Sequence, residues 1–275
     1  MIVKLSDSLY SVDNQVHSFC SHDGRASIND QCARAVEIGL NEIGFTEHKD
    51  FDPFDPEVDY FDYDEYRAQI ERARQLYGDV LDIRAGIEID YQIWFEDKIA
   101  SYLASHPFDF VLGSVHYIHR KMLMTDDYNR GRTRQIAYKD YFSAVKDSVK
   151  TGLFDVLAHL EYANRRGIAA WGPYDPAEFE DDLLGLFETT AQTPMALEIN
   201  TAGLHQGLGI TYPHPHTVRL FARAGGKRIS IGSDSHHPDQ LGHAYDYAAT
   251  IAQDNGFSKV CTWHERALKE VPISS

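Results

Sequence analysis

Histidine and carboxylate recur at seven places in this chain, each time at the end of a short apolar run. In order they are His17, His22 and Asp23 in DNQVHSFCSHDG, Glu47 and His48 in GFTEHKD, and Glu88 and Asp90 in GIEIDY. Then come His116 in LGSVHYI, His159 in FDVLAHLEY, Glu198 and Asn200 in ALEINTAGL, and Asp234, His236 and His237 in IGSDSHHP. Imidazole nitrogen and carboxylate oxygen without paired thiolates suit zinc, manganese or iron, and argue against a structural zinc held by four cysteines. The expected ligands are His17, Asp23 (or His22), His48, Glu88, His116, His159, Asp234 and His236. That is more than one tetrahedral or octahedral ion needs once water is counted, so two or three divalent ions sharing a bridging carboxylate follow, with Glu88 as the expected bridge. Clustered divalent ions generate hydroxide near neutral pH and clamp phosphoryl oxygens. The expected reaction is hydrolysis of a small phosphate monoester by in-line attack of a metal-bound hydroxide. Glu88, Asp234 and His236 form the catalytic set, and Asp234 or His236 supplies or relays the proton that the leaving alkoxide needs. One position breaks the pattern: two residues before His17, where a paired ligand is expected, stands Gln15.

Residues so far apart meet only if the elements carrying them converge. The apolar runs read as seven strands, SLYSVDNQVHS, NEIGFTEHKD, VLDIRAGIEIDY, FDFVLGSVHYI, FDVLAHLEY, MALEINTAGL and RISIGSDSHHP. Between them lie helical patterns such as DYDEYRAQIERARQLYG, FEDKIASYLASHP, YKDYFSAVKDSVKTG, FEDDLLGLFETTAQ and HPHTVRLFARAGG. In the second of these, Phe95, Ile99 and Tyr102 with Leu103 keep the spacing of one buried helical stripe. Gly78, Gly152 and Gly225 fall where helices should stop. Seven β-then-α repeats predict an α/β fold with a parallel sheet covered by helices. In a parallel β/α barrel all strand C-termini open on one rim, which would gather these residues. No linker divides the chain, so residues 1–275 read as one domain. A helical pattern over 238–255 followed by WHERALKEV closes it, and 119–133 is the longest loop candidate.

Composition narrows the partners. Hydrophobic residues make up 43% and charged residues 25% of the 275, ordinary for a globular protein. At this length a single core buries about 75% of the unfolded chain's surface. The net charge of −16 argues against nucleic acid or an anionic membrane as the partner, and leaves a small phosphorylated substrate open. Cys20, Cys32 and Cys261 show no paired spacing, which fits a reduced, cytoplasmic protein. Neither a bilayer-spanning apolar run nor a signal-peptide pattern is expected. Fourteen histidines are the anomaly. Outside the strand ends, His106, His214, His216, His243 and His264 are expected in or beside helices in surface or capping roles, while His119 and His237 lie near the rim. The composition leaves the oligomeric state open.

The ordered set DNQVHSFCSHDG, GFTEH, GIEID, LGSVHYI, FDVLAHLEY, EINTAGL and IGSDSHHP, spread over residues 13 to 238, resembles the PHP (polymerase and histidinol phosphatase) family. Within that family it is most similar to the histidinol-phosphate phosphatases of histidine biosynthesis. The resemblance implies a distorted (β/α)7 barrel of the TIM-barrel type, a trinuclear metal centre and conversion of L-histidinol phosphate to L-histidinol and phosphate. Carried over by motif, one ion takes His17, Glu88 and Asp234 with position 15, a second takes Glu88, His116 and His159, and a third takes Asp23 (or His22), His48 and His236.

There are two departures. The family's His-x-His is Gln-x-His here, so either Gln15 binds its ion less tightly through a poorer oxygen donor, or it only hydrogen-bonds a water or a neighbouring carboxylate. The loop NTAGLHQG carries His205 where those phosphatases tend to have arginine, which leaves Arg165 and Arg166 as the expected phosphate binders, with His205 as helper. Competing readings are a phosphoesterase for another small ester, an amidohydrolase-type hydrolase, and a metal-poor barrel without catalysis.

Overall fold

The computed structural model describes residues 10 to 273; Ser8 and Leu9, the start of the first expected strand, and the N-terminus searched for a leader lie outside them. Seven parallel strands form one sheet: β1 (Val12–Val16), β2 (Glu42–Lys49), β3 (Asp82–Asp90), β4 (Phe110–Ser114), β5 (Val156–Leu157), β6 (Ala196–Asn200) and β7 (Ile229–Gly232), in that order. Helices follow each in turn: α1 (Ile28–Ile38), α2 (Tyr63–Tyr77), α3 (Glu96–Ser105), α4 (Arg134–Thr151), α5 (Glu180–Thr190), α6 (Pro215–Arg223) and α7 (Tyr245–Asp254). This is the distorted (β/α)7 barrel. Its seam closes just beyond the strands: His17 N–H donates to the Ser235 carbonyl (2.8 Å) and Ser235 N–H to that of Gln15 (3.3 Å). The closing bonds therefore pass through residues of the first and seventh histidine motifs.

Local signals explain the helix limits. Ser27 and Asp30 form a reciprocal capping box at the start of α1, and Gly39 in the left-handed region (φ 79°) ends it. Asp62 and Thr133 cap α2 and α4, while Gly78 and Gly152 stop them. On α3, Ile99 is fully buried, with Tyr102 and Leu103 packed against the same core.

Period-2 alternation divides each strand between two cores. Val111, Leu157, Leu197 and Ile199 face the helices. Phe110, Leu112, Val156, Ala158 and Ala196 form a separate inner cluster with Cys261 and Trp263. Those last two come from an antiparallel hairpin, β8 (Lys259–His264) and β9 (Ala267–Pro272), which closes one end of the barrel. Trp263 stacks on Phe110 with centroids 5.6 Å apart, and Asn14 Nδ2 donates to the Cys261 carbonyl at 2.9 Å. A Cβ on Gly86 would come within 2.6 Å of the Phe110 ring, so this strand needs glycine where the aromatic crosses the barrel.

Three expectations are corrected. The helical pattern of 238–255 is a 3-10 turn (Pro238–Gln240) and then α7, separated by Gly242 and Ala244 at positive φ. His264 ends a strand rather than flanking a helix. The 119–133 loop carries local structure, a short hairpin pairing Tyr117–Ile118 with Lys121–Met122 and a helical turn, Asp126–Asn129. No helix among the described residues is long and apolar enough to cross a membrane.

Candidate metal centre

The barrel places the expected ligands by register. β2 and β3 pair His48 with Glu88, while β3 and β4 pair Glu88 with Leu112 and Asp90 with Ser114. Glu88, wholly buried on the central strand of these three, presents its two oxygens to different sets of rings. Oε2 lies 3.4 Å from His17 Nε2, which is itself 3.2 Å from Asp234 Oδ1. Oε1 lies 2.9 Å from His159 Nε2 and 3.3 Å from His116 Nε2, and those two nitrogens are 3.4 Å apart. A third group sits beside the first: His236 Nε2 is 3.1 Å and His48 Nε2 3.8 Å from the carboxylate of Asp23.

These spacings test whether ions fit. Bonds of 2.0–2.1 Å in a tetrahedron put neighbouring ligand atoms about 3.3 Å apart. Most of the separations above match that edge. His17 Nε2 is buried with no hydrogen-bond partner although two carboxylate oxygens face it, an arrangement a shared cation satisfies. Burial drives His116 down to about 3, helped by His159 and His48. Against the effect of burial, facing carboxylates raise His17, His159 and His236, so the carboxylates of the cluster call for positive charge. Burial opposes ionisation of Glu88, yet His48 and His159 hold its carboxyl well below the ordinary range. The residues present fit divalent ions.

The surrounding groups fix the ligands' poses. His17 Nδ1 lies 3.4 Å from Ser21 Oγ, and Ser21 and Ser18 both donate to buried Glu47 at 2.6 Å. The His48 N–H also donates to Ser21 Oγ (2.9 Å). Tyr162 lies against both His116 and His159, with centroids 4.9 and 4.8 Å away. Gly232 lets β6, β7 and β1 converge: a Cβ there would stand 2.3 Å from Glu198 Oε1 and 2.7 Å from Gln15 Cβ. Asp234 occupies the left-handed region (φ 56°), a conformation Asp tolerates better than most residues.

Several expected residues are sorted by their surroundings. Asp23 reaches the cluster, whereas His22 is exposed and packs edge-on against Tyr60, 5.5 Å away. Arg165 is half-buried, donates to Tyr162 Oη at 2.9 Å and feels the charge of Asp234. Arg166 is exposed and donates instead to the Met124 carbonyl (3.0 Å). His205 has Nε2 3.1 Å from the Ser233 carbonyl, tied to the backbone beside Asp234. Gln15 is buried among Glu88 and Asn200: its Nε2 donates to Glu88 Oε2 (2.6 Å) and its Oε1 accepts from Asn200 Nδ2 (2.7 Å). Gln15 thus bonds the carboxylate expected to bridge two ions.

Sequence reasoning named Asp90 but passed over the other members of an acidic wall beside the cluster. Asp50, Asp55 and Asp90 are all nearly buried, as is Gln92. Asp90 accepts from the His116 N–H and from Gln92 Nε2 (3.0 Å), while burial and then the nearby Asp55 push the Tyr117 hydroxyl up. Burial, then the repulsion of Asp90, Asp55 and Glu88, pushes the Asp50 carboxyl well above its usual range. Asp50 Oδ1 and Gln92 Oε1 have no hydrogen-bond partner. The stretch DFDPFDPEVD gives a charge-rich signal, but such runs usually mark a solvated face, so its burial was not legible.

Fold and site together define a metal-dependent barrel hydrolase. The chain belongs to the PHP domain family, whose model matches residues 13–202. It is 28% identical to the histidinol-phosphatase of Lactococcus lactis, over 92% of this chain and 94% of that one. It is 27% identical to a probable histidinol-phosphatase of Deinococcus radiodurans, over 92% of this chain and 97% of that one. Among solved structures it resembles the Lactococcus lactis histidinol phosphate phosphatase complexed with zinc, L-histidinol and phosphate. The TM-score is 0.85 at 28% identity, covering 95% of this chain and 100% of the other.

Proposed function

We propose that this protein is a metal-dependent phosphomonoesterase that hydrolyses L-histidinol phosphate to L-histidinol and phosphate, with histidinol supplied to histidine biosynthesis. The observation that carries the reading is the position of Glu88, each of whose oxygens faces its own set of imidazole nitrogens, as a carboxylate bridging two cations must. Relatives named for this activity match along nearly their whole lengths, and the similar solved structure was obtained with zinc and both products of the reaction.

We assign His17, Glu88 and Asp234 to one ion, Glu88, His116 and His159 to a second, and Asp23, His48 and His236 to a third. Zinc, manganese or iron held there would supply a water of lowered pKa as nucleophile and neutralise phosphoryl oxygens. The chain's own groups do the rest. Arg165, steadied by Tyr162 and close enough to feel the charge of Asp234, is the assigned phosphate partner; Arg166 is turned away. Asp234 and His236, with Oδ1 and Nδ1 3.6 Å apart, are the assigned route for the proton that the leaving alkoxide takes. The acidic wall at Asp50, Asp55 and Asp90 suits the amine and imidazole end of histidinol phosphate, because a cation there would relieve the repulsion among these crowded carboxyls.

The test is phosphate release from histidinol phosphate beside a panel of other monoesters, amides and lactones. Equal turnover of phosphate monoesters of uncharged alcohols would leave a phosphoesterase of other specificity, and turnover of amides or lactones alone would remove the phosphatase reading.

A further inference from the structure

We infer that Gln15 is a positioning donor to the bridging carboxylate and not a metal ligand, so that the ion beside His17 takes three protein groups and keeps an open coordination position. The inference rests on the metal-dependent reading above, and concerns how this chain holds that ion.

A carboxamide's orientation is fixed by what its neighbours can do. Here each neighbour is constrained in turn. The Ala202 N–H can only donate, so Asn200 Oδ1, 2.8 Å away, must accept. That leaves Asn200 Nδ2 as the donor to the Gln15 atom at 2.7 Å, which must be Oε1. The other Gln15 atom is then Nε2, and it meets Glu88 Oε2 at 2.6 Å, the short contact of an N–H on a carboxylate. Turning the amide over would oppose two donors at Asn200 and set oxygen against carboxylate at Glu88.

Space reinforces the hydrogen bonds. Gln15 is fully buried, and its Cβ lies against Gly232 at the point where the barrel closes. Swinging its oxygen toward His17 would break the Asn200 contact. Three donors remain on that side: His17 Nε2, Asp234 Oδ1 and Glu88 Oε2, the last shared with Gln15. Three protein ligands with a free position is the arrangement of a catalytic rather than a structural zinc. Where the family's first motif offers a histidine, this chain offers an N–H that orients the bridge instead.

The test uses the full chain loaded with manganese or zinc and dialysed against graded chelator, with metal per chain measured by mass spectrometry. Turnover is not the readout, so a protein inactive on histidinol phosphate still answers the question. Gln15→Met keeps the volume but removes both donor and acceptor. It should hold as many ions as the parent, with the ions that share Glu88 released at about tenfold lower chelator because the bridge loses its orienting N–H. Gln15→His adds a nitrogen ligand and should move one ion per chain, and only one, to at least about tenfold higher chelator. Loss of a whole ion in folded Gln15→Met at saturating metal would make Gln15 a ligand and overturn the inference. So would an unmoved release curve in folded Gln15→His. A crystal structure of the loaded parent with Gln15 Oε1 on a cation would overturn it without any variant.

Discussion

The two ends of the barrel are built on the same inward-facing stripes and come to opposite chemistry. Along β3 the stripe reads Gly86, Glu88, Asp90; along β6 it reads Ala196, Glu198, Asn200; from β4 onward it reads Phe110, Leu112, Ser114, His116. At one end these side chains are small or apolar and close over Trp263 and Cys261. At the other, a short way further along each strand, they are carboxylates and imidazoles. Exposure does not distinguish the ends, because Glu88 (0%) is as dry as Trp263 (3%). Partners do. Near the plug the unpartnered atoms are neutral oxygens such as Asn14 Oδ1 and Thr262 Oγ1, whereas the rim leaves the ionisable groups of His17 (Nε2), His159 (Nδ1) and Glu198 (Oε1) buried without hydrogen bonds. A buried polar group without a partner costs about 1–3 kcal/mol, so the rim is stable only because bound cations or the packed barrel below offset it.

That contrast yields separable expectations. Glu88→Gln removes the bridge and should lower phosphate release by about 10³-fold or more while the thermal melt still shows a cooperative fold. A melt lost together with activity would show that the rim also holds the barrel. Trp263→Ala at the other end should cost about 3–5 kcal/mol in denaturant titration, with kcat near the parent value for the fraction that stays folded. A kcat that falls well beyond that fraction would mean the plug shapes the site.

Smaller effects refine the rim itself. Arg165→Ala should raise KM for the phosphate ester about tenfold or more, the loss of one hydrogen bond to a charged group, while Arg166→Ala stays within about twofold. Reversal of that order would relocate the phosphate. Asp50→Asn should raise KM for histidinol phosphate several-fold (about 1 kcal/mol) and leave the phosphate monoester of an uncharged alcohol unaffected. An equal rise for both substrates would mean that the acidic wall acts on the metal centre rather than on the substrate's cationic end.

Much of this was legible in the chain. Histidines at strand ends, repeated over more than two hundred residues, are meaningful only if the strands are parallel and end on one rim, and the alternating β and α patterns specified that. Glycines at helix ends and the stripe on α3 were equally plain, since they depend on near neighbours. The C-terminal hairpin was not, because residues 259–272 adopt strands through a tertiary plug whose main partner, Phe110, lies far earlier in the chain. Its local pattern did not announce that.

Sequence alone determined the donor types, their order along the chain and the barrel that could gather them, because those follow from side-chain chemistry and short-range periodicity. Tertiary structure separated near-equals by placement: Asp23 lies in the cluster and His22 outside it, Arg165 lies beside Tyr162 and Arg166 turns to the Met124 carbonyl, and the Gln15 amide faces Glu88 and Asn200. Each choice turns on which direction a side chain is held, and that is set by groups remote in sequence. The backbone N–H of Ala202, acting through Asn200, fixes an amide 185 positions before Asn200.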